Sequence, residues 1–189
     1  MSHSVLRALP FAAVLALAGC KPPPTDADIA GGEPAALEGP SEPIMSPDTE
    51  GAIWAQSRTP GRLIYGIPGE PSLLAIACVL GDGAPAIRLT RYAEADAEAQ
   101  AFVALIGNGH VARIPIDATE SDGAWLWETT APADSPDWEV LTGRRDVAVT
   151  IPGAGRLVLN PSPLPGELIE TCRANAPDAV TSADAVPAP

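Results

Sequence analysis

The chain is poor in the side chains that carry out covalent chemistry. It has 189 residues, and only two are histidines and three are cysteines. His3 falls in the N-terminal segment that reads as a signal peptide, which leaves His110 as the single imidazole beyond it. A zinc site takes three or four His, Cys or carboxylate ligands, so one histidine is a poor start. A nucleophile activated by an imidazole would have to use His110, and no Gly-x-Ser-x-Gly elbow is present. Phosphate loops are missing as well. Gly66-Ile67-Pro68-Gly69 and Gly153-Ala154-Gly155 are turn glycines beside proline, with no Gly-Lys-Ser/Thr after them. Asp26-x-Asp28 opens like a calcium loop but fails at Ala30 and Leu37. No metal and no cofactor is expected. Lysine is nearly absent: Lys21 is the only one, and the formal net charge is −13. A chain this acidic does not seek nucleic acid or anionic headgroups. No apolar run reaches the roughly 20 residues that a membrane-spanning helix needs.

What is present begins with an address. Arg7 and the apolar stretch Ala8 to Ala18, broken at Pro10, have the form of a signal peptide. Leu17-Ala18-Gly19-Cys20 then resembles the lipobox of bacterial lipoproteins: Leu, two small residues, Cys. The resemblance implies cleavage after residue 19 and acylation of Cys20. Two or three acyl chains hold a protein on a membrane durably, whereas one binds only marginally. An ordinary secretory peptide ending in small residues is the alternative. Lys21 is not the aspartate that favours inner-membrane retention in enteric bacteria. The expected location is therefore the envelope, on the outer membrane facing the periplasm.

The remaining cysteines, Cys78 and Cys172, are an even pair in an oxidising compartment and are expected to form a disulfide. It would close a loop of about 94 residues, worth about 4–5 kcal/mol in the chain-entropy model. Two unrelated buried thiols are the alternative.

Composition divides the chain into four parts. Residues 1–19 read as the signal peptide and 20–51 as a lipidated, disordered tether of Pro, Gly, Ala and acids. Residues 52–174 read as the folded domain and 175–189 as a disordered tail. The domain is mainly β. LLAIACVL (73–80) is a short buried run, and AIRLTRY (86–92) alternates Ile87 and Leu89 with Arg88 and Thr90, with Asp82-Gly83 as a turn between them. Asn108-Gly109 lies between two β-rich flanks, a strong hairpin signal. Residues 124–129 form another strand, and 146–160 a second hairpin turning at Pro152–Gly155. Residues 94–102 have helical composition without an apolar face, so helix and loop-to-strand both stay open. GELIETCRA (166–174) predicts a short helix with Leu168, Ile169 and Cys172 on one face. The sum is a small β-sandwich or barrel-like domain with a short C-terminal helix and disordered ends.

Leu74-Ala75-Ile76-Ala77-Cys78 early and Cys172 late, with hairpins and a Trp-containing stretch between, resemble the layout of small disulfide-bonded envelope domains. The invasion-associated locus B proteins and the accessory lipoproteins of type VI secretion share it loosely. The whole chain resembles uncharacterised proteobacterial lipoproteins. This resemblance implies an architecture, not an activity.

Candidate binding residues are few. Trp125 and Trp127 are two apart, on one face of a strand. With Trp54 and Trp138 they form either a platform for a sugar or peptide or part of the core, and core is favoured for Trp125 and Trp127 because the chain has only two Phe and two Tyr. Trp138, between Asp137 and Glu139, is expected to be partly exposed. With His110, beside its hairpin turn, it marks a possible binding surface. Carboxylates are abundant, but a glycosidase needs two on either side of one bond, which spacing does not reveal. The reading is a non-catalytic binding or accessory role in the periplasm, through an envelope protein or glycan partner. A cell-wall-directed enzyme or enzyme inhibitor is the alternative, and a structural spacer the third.

Overall fold

The computed structural model describes residues 41–81 and 83–175. Residues 1–40, which include the expected signal peptide, Cys20 and the first part of the expected tether, together with Asp82 and residues 176–189 of the expected tail, lie outside the described residues.

Nine antiparallel strands form one sheet that curls into a nearly closed barrel, in the order β1-β2-β3-β4-β7-β6-β5-β8-β9. They are β1 (Ile53–Gln56), β2 (Arg62–Gly66), β3 (Leu74–Val79), β4 (Ala86–Glu94), β5 (Gln100–Gly107), β6 (His110–Ser121), β7 (Ala124–Pro132), β8 (Val147–Thr150) and β9 (Arg156–Leu159). A 3-10 helix (Pro136–Leu141) precedes β8, and helix α1 (Leu164–Ala174) follows β9. The mainly β reading with a short C-terminal helix therefore holds.

Period-two alternation builds the barrel wall. Ile87, Leu89 and Ala93 of β4, Val103 and Leu105 of β5, and Ile114 and Ile116 of β6 are all buried. The residues in the opposite phase, such as Arg88, Thr90 and Tyr92 of β4, face outward. Two tight turns set the register. Asn108 and Gly109 both have positive φ (52° and 84°), the backbone twist that a two-residue hairpin requires, and Gly107 pairs with His110. Asp122 and Gly123 repeat the same geometry between β6 and β7. Residues 94–102 are not helical. Glu94 ends β4, a turn closes with Ala99 N–H on the Asp96 carbonyl at 3.1 Å, and Gln100 opens β5. The composition is helical, but Val103 and Leu105 need an alternating face, and sheet packing prevails over local propensity.

One end of the barrel is closed by the two helices. Trp138, Val140 and Leu141 of the 3-10 helix are buried, as are Ile169 and Cys172 of α1. Leu168 is only partly buried, packed against this core. Arg173, in the last turn of α1, binds the Ala133 carbonyl through Nε and the Glu139 and Glu170 carboxylates through its two amino groups, each at 2.8 Å. Cys78 at the end of β3 and Cys172 of α1 lie at disulfide distance, with Cα atoms 5.5 Å apart. The bond staples α1 over that end.

The seam between β1 and β9 is closed by side chains. The Tyr65 hydroxyl donates to the Val158 carbonyl (2.9 Å) and accepts from Asn160 N–H (3.0 Å). The Asn160 amide donates to the Thr49 and Ala52 carbonyls at 3.0 and 2.8 Å. Trp54 packs against Tyr65 with ring centroids 5.2 Å apart.

The boundary at residue 52 needs correction. Residues 41–51, assigned to the tether by composition, run along the domain as a strap. Ile44 N–H donates to the Gly153 carbonyl at 2.8 Å, and Ser46 Oγ accepts from Arg156 N–H at 2.9 Å. Ser41 binds Asp96 through its backbone N–H (3.0 Å) and its hydroxyl (2.5 Å). Few apolar side chains are involved, so hydropathy carries no sign of it.

Two outcomes follow. Tyr65→Phe leaves a part-buried carbonyl and N–H at the seam without their partner and is expected to cost about 1–3 kcal/mol in urea unfolding; an unchanged midpoint contradicts the seam's role. Reducing the disulfide, or replacing both cysteines by serine, is expected to lower stability by about 4 kcal/mol in the same assay.

Candidate functional site

The two residues expected to mark a binding surface are placed apart in character. Trp138 is not exposed: its accessibility is 0 %, and its Nε1–H donates to the Pro132 carbonyl at 3.0 Å. The reason is the 3-10 turn. Ser135 caps it, accepting from Asp137 N–H, and Asp137 and Glu139 flank the indole while engaging Ser135 and Arg173. The acidic neighbours therefore describe the other faces of the turn, not the environment of the tryptophan. His110 is exposed at the start of β6, near enough to Glu139 for its charge to be felt there. Asn108 beside it is a structural anchor, donating to the Val140 carbonyl and accepting from Arg145 N–H, each at 2.8 Å. Trp127 is buried at 6 % and Trp125 half-buried, so the tryptophans form no outer platform.

The most structured polar surface lies elsewhere, on the outer face of the contiguous strands β2-β3-β4-β7-β6. The outward residues of β3 are small: Ala75, Ala77 and Val79. Taller neighbours rise on both sides, leaving a groove of about 480 Å³. Across it, an Arg62 amino group donates to the Tyr92 hydroxyl. Glu128 on β7 accepts from Thr90 Oγ1 at 3.0 Å and faces Arg88 Nε at 3.5 Å. Thr119 and Ser121 of β6 add hydroxyls at the margin, and Leu126 adds an apolar patch. Guanidinium, carboxylate, phenol and hydroxyl groups are thus fixed by one another over a methyl-lined floor. Such an arrangement can match the alternating donors, acceptors and C–H faces of a sugar ring or an extended polar chain.

A second surface is apolar. Phe102 and Ile106 of β5 and Val111 of β6 are 58 %, 52 % and 61 % exposed, and Ile106 lies directly opposite Val111. Pro115 extends the stripe opposite Phe102, and Arg113 interrupts it opposite Ala104. Charge on that stretch of hairpin is low, which distinguishes it from the rest of an acidic chain.

One buried charge accompanies these surfaces. Arg91 follows the inward phase of Ile87 and Leu89 and is 4 % exposed. It donates to the Leu73 carbonyl (2.8 Å), the Tyr92 carbonyl (3.3 Å) and the Ala154 carbonyl (3.4 Å). Burial lowers its pKa from the usual arginine value. It is a strut that ties two loops to the end of the barrel opposite the helices. The groove and the strut were both missed in the sequence. The alternation of Arg88, Thr90 and Tyr92 carried the signal for one, and an arginine in the apolar phase of β4 carried it for the other.

Comparison with family models, with curated proteins and with solved structures finds no match to the chain. The class that fold and surface define is a disulfide-stapled antiparallel β-barrel domain with a polar groove on its outer wall. Among the described residues no cluster of three or more His, Cys, Asp or Glu could hold a metal ion, and no helix is long and apolar enough to cross a membrane.

The Glu139–Arg173 pair gives a pH outcome. Hydrogen bonding from Arg173 holds the Glu139 carboxyl below its ordinary value, against an opposing desolvation effect. A depressed carboxylate contributes stability that is present above its unfolded pKa and lost as pH falls through the folded one. Thermal unfolding from pH 6 to pH 3 is expected to lose this part, and Glu139→Gln to flatten it. Superimposable pH profiles for the two proteins contradict the pair's contribution.

Proposed function

We propose that this chain is a lipid-anchored protein of the bacterial envelope with a non-catalytic binding role, and that the groove between β2 and β6 is its carbohydrate-binding surface. Cys20 is the acylation point, and the segment after it carries the domain to the periplasmic side of the outer membrane. The observation that supports the reading is the pair of fixed networks, Arg62–Tyr92 and Arg88–Glu128–Thr90, opening onto one groove. Donors and acceptors held in place lose little freedom on binding, which favours recognition of several hydroxyls at once. A methyl floor suits the apolar face of a sugar ring. Protein contact is the second reading, favoured by the exposed stripe Phe102, Ile106 and Val111. In that case the protein is an accessory subunit.

Co-sedimentation with purified cell-wall sacculi tests the first reading. The full chain is expected to pellet with sacculi, and Arg62→Ala combined with Glu128→Gln to weaken retention at least tenfold while keeping the melting temperature. Ile106→Asp is expected to leave retention unchanged. Retention lost with Ile106→Asp and kept by the groove variant moves the function to the apolar stripe. No retention of the unaltered chain contradicts the carbohydrate reading.

A further inference from the structure

The groove over β3 is positive on an acidic protein. The chain carries a formal net charge of −13, yet the charged residues that line the groove are two arginines, Arg62 and Arg88, and one carboxylate, Glu128. We infer that the groove prefers a glycan bearing a single carboxylate, and that Arg62 and Arg88 receive it; this rests on the carbohydrate reading and names the class of sugar.

The register places the two cations. Arg62 of β2 and Arg88 of β4 both pair with Ala77 of β3. Their backbones stand two strand spacings apart, about 10 Å, with the Ala77 methyl between them. Arg62 reaches Tyr92, and Arg88 reaches Glu128, the cross-strand partner of Thr90. Both side chains thus lean the same way, toward the row of Ala75 and Thr90, which pair with one another.

Their bonding leaves one charge over. Both oxygens of Glu128 are engaged, one by Thr90 Oγ1 at 3.0 Å and one facing Arg88 Nε at 3.5 Å. Arg62 differs. Its side-chain partner is the Tyr92 hydroxyl, a neutral group, and among the described residues no carboxylate lies within 4.0 Å of it. A guanidinium carries five N–H donors in a planar fork that matches a carboxylate. One donor of Arg62 goes to the phenol, and that contact fixes the head over the groove with the rest of the fork open. Arg62 is half-buried, so an ion pair made there is screened less than one on open surface. Arg88, with its side chain 45 % exposed, can turn its amino groups to the same guest. A monoanion matches the one uncompensated cation. A cationic ligand would face two guanidinium groups, and a phosphate dianion would bring more charge than the groove leaves unpaired.

Isothermal titration calorimetry of the full chain in a non-ionic detergent tests this with two probes that differ by one charge. They are the disaccharide N-acetylglucosaminyl-N-acetylmuramic acid and its lactyl carboxamide. The acid is expected to bind at least fivefold more tightly at neutral pH. Arg62→Gln is expected to bring the two affinities within twofold at unchanged melting temperature. Ile106→Asp changes the net charge by the same one unit outside the groove, and is expected to leave the preference intact. Equal binding of acid and carboxamide overturns the carboxylate site and leaves the carbohydrate reading standing. A preference that survives Arg62→Gln, or one that Ile106→Asp removes, overturns the site as well. Binding of neither probe overturns both.

Discussion

An open sheet has two edges, and each edge exposes a row of unpaired backbone groups. In this barrel β1 and β9 are those edges, and they do not pair with one another as strands. The tyrosine hydroxyl of β2 and the amide of Asn160 span the gap instead. Every other feature depends on that closure. It defines an interior that two helices can cap at one end and Arg91 can brace at the other. It also defines an outer wall rigid enough to hold a polar groove.

The disulfide serves the same architecture from a different direction. Cys78 ends the strand whose small outward residues form the groove floor, and Cys172 lies in the helix that caps the barrel. Stapling them fixes the end of β3 against movement of the cap. Arg173, one residue on, ties the same helix to the 3-10 turn and to the last residues after β7. The groove is thus bounded by strands whose ends are covalently and electrostatically fixed.

Much of this was legible in the residues. The buried run at 73–80, the Asn108-Gly109 hairpin, the 146–160 hairpin and the C-terminal helix follow from hydrophobic period and turn chemistry. The pairing of two cysteines follows from their number. Other parts were not legible for physical reasons. β1 and β2 are four and five residues long, too short for a periodic signal. The order that inserts β7 between β4 and β6 is a long-range property. The strap docks by hydrogen bonds from serine and backbone, so a composition of Pro, Glu and Ser looks disordered. Trp138 was misjudged because acidic neighbours in sequence are not neighbours on the same face of a 3-10 turn. The groove is assembled from five strands and the residues just before β2, and no single segment contains enough of it to be noticed.

The central claim is that the outer wall over β3, not the apolar hairpin, is where this protein meets its partner. Methyl resonances separate the two directly. On addition of soluble cell-wall glycan, the signals of Ala75, Ala77 and Val79 are predicted to shift while those of Ile106 and Val111 stay in place. Shifts confined to Ile106 and Val111, or none at either face, would contradict the account.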